Sequence, residues 1–102
     1  MDEEKLRQLT NDYLDNILMM EEMSQWAGTH AVTFYTFDRR RRDLHDQIAD
    51  LAGVDRSSLY DILSSAVFPK FDGDKYTHYE TEEDFYIAVS DEIARIKRRE
   101  NN

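Results

Sequence analysis

The residues with the plainest chemical potential in this chain are three histidines, a run of four arginines and a large set of carboxylates. His30, His45 and His78 are far apart, and none stands in a His-Glu-x-x-His or similar ligand spacing. There is no cysteine, so the sequence offers neither a thiol nucleophile nor a disulfide framework. Its glycines, Gly28, Gly53 and Gly73, are too scattered for a loop whose backbone cradles phosphate. From Asp72 onward, carboxylates at Asp72, Asp74, Glu80 and Glu83 echo a calcium loop. Tyr76, and a glycine in the second place instead of the sixth, break that pattern. Other acidic pairs are expected by chance among 22 Asp and Glu. The expectation is a protein that is not an enzyme and uses no metal or other cofactor.

Recognition by charge is the chemistry left. The formal net charge is −9, from 13 basic and 22 acidic residues. Positive charge is gathered in two blocks, Arg39 to Arg42 and Arg95 to Arg99. Between Asp38 and Ala66, five arginines face six aspartates, so that stretch is near neutral. The acidic excess lies in the first 22 residues and between Asp72 and Asp84. The 102 residues suffice for a single domain, residues 1–102, able to bury roughly 65% of its unfolded surface. No apolar run approaches the roughly 20 residues of a membrane span. The start, MDEEKLRQL, lacks the positive-then-apolar order of a signal peptide, which makes the cytoplasm the default expectation.

Periodicity indicates the elements that must position these charges. Residues 2–27 are predicted as one long helix, with Leu6, Leu9, Tyr13, Ile17, Met20 and Ala27 in register. Leu14, Leu18, Met23 and Trp26 widen that stripe, and Gly28 ends it. A stripe wider than one neighbouring helix needs raises the expectation of a homodimer. Residues 31–37, AVTFYTF, are β-branched and aromatic and are predicted as a strand. Asp38 is then placed as an N-cap, with Arg39, Arg40, Arg41 and Arg42 opening the next helix against its macrodipole. Those arginines either pair with Asp43, Asp46 and Asp50 or contact phosphate. Leu44, Ile48, Leu51 and Ala52 form an apolar face, Gly53 supplies positive φ, and Val54 plugs the corner. Asp55 is placed to cap a further helix that buries Leu59, Ile62, Leu63 and Ala66. Asp72-Gly73 marks a hairpin over residues 67–79. Thr81 to Asp84 cap a closing helix over residues 81–99, with Phe85, Ala88, Val89, Ile93 and Ile96 inward.

The set Ile48, Ala49, Ala52, Gly53, Val54, Leu59 and Ile62 resembles the helix-turn-helix motif of DNA-binding proteins, over residues 45–66 within the span 39–66. A small residue at Ala49 lets the second helix cross closely, and Gly53 makes the sharp turn. With the hairpin next in the chain, the whole is similar to a winged helix-turn-helix domain. The fold class expected is therefore mainly α with a small β element, carrying a long N-terminal helix and an extra C-terminal helix. The strand is longer than that family needs, and the wing sets Lys70 and Lys75 against Asp72 and Asp74.

Two functions are in view. The resemblance implies a small transcriptional regulator that binds double-stranded DNA as a homodimer. Its phosphate contacts would come from Arg39, Arg40, Arg41 and Arg42. Asp55, Arg56, Ser57, Tyr60 and Asp61 would be the outward residues of the second helix, with Arg56 reading guanine. The alternative is an acidic protein-binding module or inhibitor, DNA-mimic-like and of the phage type. It would occupy a basic surface of a nucleic-acid-acting partner. Its carriers would be Asp2, Glu3, Glu4, Glu21 and Glu22, or Asp72, Asp74, Glu80, Glu82, Glu83 and Asp84.

Overall fold

A computed structural model describes residues 1–24, 31–65 and 81–100, and every regular element among them is helical. Helix α1 runs Glu3–Ser24 and α2 runs Ala31–Ala52. A 3-10 turn, Arg56–Leu59, leads into the short α3, Tyr60–Ser64, and α4 spans Glu82–Glu100.

Both outer helices start where side-chain chemistry fixes them. The Lys5 N–H donates to the Asp2 carboxylate at 3.0 Å, so Asp2 caps α1 instead of belonging to it. Thr81 does the same for α4, its hydroxyl accepting the Asp84 N–H at 3.1 Å. Glu82, Glu83 and Asp84 at the start of α4, with Lys97, Arg98 and Arg99 at its end, complement its macrodipole.

The core is shared by all the helices. Leu6, Leu9, Tyr13 and Leu14 of α1 meet Leu44, Ile48, Ala49 and Ala52 of α2, and Phe85, Val89, Ile93 and Ile96 of α4. Val54, Leu59 and Leu63 close one end. Helix α1 packs against both α2 and α4, with α2 the more extensive partner. Up to Met20, its wide stripe is thus used within one chain.

The strand expected at residues 31–37 is helical and continuous with the rest of α2. A strand satisfies its backbone only through a neighbour, whereas a helix satisfies its own. Docking on α1 then decides the outcome over β propensity. The Asn16 Nδ2 donates to the Phe37 carbonyl at 2.8 Å, fixing this part of α2 against α1. Asp38 is accordingly an interior residue of α2, not an N-cap, and the four arginines lie mid-helix, where no macrodipole opposes them. The hairpin or wing predicted at 67–79, and the end of the first helix at 25–27, lie outside the described residues.

The turn after α2 has the form its residues predict. Gly53 has φ +70°. Its N–H donates to the Asp50 carbonyl at 3.3 Å, and the Val54 N–H donates to the Ala49 carbonyl at 3.1 Å. That pair of bonds is a Schellman closure, with Val54 buried behind it. The segment beyond the turn is not one helix to Ala66: the 3-10 turn and α3 together end at Ser64.

A Cβ added at Gly53 meets nothing within 4 Å, so the cost of Gly53→Ala is backbone strain alone. We expect about 1 kcal/mol from urea unfolding. Ala49 has no exposed surface, and Ala49→Leu should cost about 1–3 kcal/mol by overpacking. An unchanged midpoint for both would contradict this turn.

Candidate functional site

Four consecutive helical residues sweep about 300° of the helix circumference, so Arg39 to Arg42 cannot share one face. The structure distributes them accordingly. Arg41 points inward: its Nε donates to Asp38 at 3.1 Å, and it shares a cleft with Tyr13, whose hydroxyl favours the charged guanidinium. Burial pulls the Arg41 guanidinium down, but Asp38 and Tyr13 outweigh it and hold it above its ordinary value. Arg42 reaches the other oxygen of Asp38 at 3.3 Å. Arg39 and Arg40 are exposed, and Arg40 stands beside Asp12 and Asp15 of α1.

Beyond the turn, Arg56 is held by two carboxylates of α2, Asp46 at 3.2 Å and Asp50 at 3.4 Å. Its carbonyl accepts a hydrogen bond from His45 Nε2 at 2.7 Å, which places the ring proton on that nitrogen. Asp55 has the extended backbone of an N-cap but makes no side-chain cap bond. Its carboxylate accepts the Ser57 hydroxyl instead. Tyr60 is 62% exposed and Asp61 is exposed. These residues part to two sides. Tyr60 shares a cleft with Arg41, Tyr13 and Ser64, while Ser57 and Asp61 share a separate cleft of about 430 Å³ with Arg95 and Arg99 of α4. The second basic block is visible in sequence, but its place beside Ser57 is not. That neighbourhood is tertiary and leaves no local signal.

Acidic residues gather at the other side of the molecule. Glu82 is hydrogen-bonded to Asp15, which pushes its carboxyl above the ordinary value. Slight burial, then the negative charges of Asp15 and Asp12, add to the shift. Nearby, Glu83 pairs with Arg7, whose guanidinium lies 4.0 Å over the Tyr86 ring. Glu82 is among the carriers expected from sequence, whereas Asp12 and Asp15 are additions of the structure. Their three-residue spacing on one face of α1 was the available signal. Among the other expected carriers, Asp2, Glu3 and Glu4 are exposed, and Asp72, Asp74 and Glu80 lie outside the described residues.

Among the described residues no three His, Asp or Glu side chains are grouped to hold a metal ion, and no helix is long and apolar enough to cross a membrane. Comparison with family models, curated proteins and solved structures gives no match for this chain.

The carboxyl pair sets a pH dependence. Glu82 has a raised pKa in the folded state, so the proton it retains there stabilises the fold below its unfolded pKa, and that contribution is lost as pH rises through the folded value. Glu82→Gln should therefore stabilise the fold at neutral pH by up to about 0.5 kcal/mol for so exposed a pair, read as a raised thermal midpoint. The gain should shrink on acidification through the carboxylate range. A constant difference across pH would contradict the raised Glu82 carboxyl.

Proposed function

We propose that this chain is an acidic helical module that occupies a basic surface on a partner protein, and that the partner is one that acts on nucleic acid. The observation that carries the reading is the meeting of Asp12, Asp15 and Glu82 from two helices at the surface. Like charges brought this close destabilise the free protein. An approaching cationic surface would relieve that repulsion, and a single-sign field speeds the encounter. Meanwhile three of the cations that would have faced DNA are compensated internally, Arg41 and Arg42 by Asp38 and Arg56 by Asp46 and Asp50, while Arg39 and Arg40 stay exposed.

DNA binding is the second reading. It is favoured by the Gly53 turn with buried Ala49, and by Arg95 and Arg99 flanking Ser57 and Asp61. In that reading α4, more than Arg39 to Arg42, supplies the phosphate contacts, and residues 67–79 supply a wing. A cytoplasmic site of action is proposed with either. From Leu6 to Leu18 the width of the α1 stripe no longer argues for a homodimer, since α2 and α4 cover it there. Met19 and Ile87, 41% and 46% exposed, are what a second copy would use. A single 12.1 kDa species in sedimentation at tens of micromolar would remove self-association, since a modest interface corresponds to about 7 kcal/mol.

The two readings separate in a binding series at about 50 mM salt, where phosphate contacts are strongest. The acidic reading expects oligoarginine to bind and random duplex not to shift. Reversing Asp15 and Glu82 to lysine should abolish oligoarginine binding, while reversing Glu3 and Glu4, an equal change in charge, should weaken it much less. Retardation of duplex that is lost in Arg95→Gln/Arg99→Gln, with a salt slope flattened by about 0.9 per lost contact, would overturn this in favour of DNA.

A further inference from the structure

No further inference is drawn: the strongest candidate, the cleft where the 3-10 turn and α3 meet α4, lined by Ser57, Ser58, Asp61, Glu92, Arg95 and Arg99, sets two arginines against two carboxylates, one of which already holds Arg95, so it singles out no class of ligand.

Discussion

The fold converges on the side chain of Tyr13. The ring, 1% exposed, is stacked with Phe85 of α4 at a centroid distance of 6.0 Å and an interplanar angle of 21°. Its hydroxyl neighbours the Arg41 guanidinium of α2, which Asp38 in turn holds. One residue of α1 therefore ties all three long helices, through apolar burial on one side and a polar chain on the other. Burial pushes the phenol pKa up, and Arg41 partly offsets that. A buried phenol needs its partner, because an unmatched hydroxyl in a packed interior is costly. Arg41 is consequently structural. To contact a phosphate it would have to leave both Tyr13 and Asp38.

The same logic extends over the charged surface. Helix α2 carries four arginines and four aspartates and spends much of that charge internally or across the turn to Arg56. Arg7 is taken by Glu83, and Arg95 by Glu92. Exposed pairs of this kind contribute on the order of 0–1 kcal/mol each, so they do little for stability. Their effect is on the field. With these cations matched, most of the excess behind the −9 net charge falls on α1 and on the first turn of α4, the two segments that the core brings side by side, while Arg39 and Arg40 stay exposed on α2. The acidic cluster is thus a product of packing as much as of composition.

Much of the fold is readable from local chemistry, and the failures have a common origin. Thr81, the stripe of α4 and the Gly53 turn depend on residues within a few positions of each other, and the structure has them where periodicity and capping rules place them. Residues 31–37 fail because β propensity reports a side chain's fit to a pleated surface, and among the described residues the surface on offer is another helix. Asp38 fails with them: an aspartate before four arginines reads as a cap, but in mid-helix it is their counter-ion at three and four residues. The candidate site was legible in residue type but not in grouping. Arg56 is ten and six residues from its aspartates, and Asp15 is far along the chain from Glu82. Neither distance has a signature in sequence.

Asn16 shows how register and recognition meet in one side chain. An apolar residue there would pack, but it would also let α1 slide along α2, since apolar contact is non-directional. The bond from Nδ2 to the Phe37 carbonyl admits a single register. Buried polar groups can fix alignment in this way at a cost in stability. An amide has two ends, however, and the end that fixes register leaves the other without a partner among the described residues. With α1 and α2 locked by this bond, Asp12 and Asp15 can only fall where they do, one turn and less from Asn16 and along the same face. The bond that aligns the helices therefore also sets two carboxylates of α1 beside Phe37 and Arg40, so that helix register and the placing of surface charge follow from the same constraint.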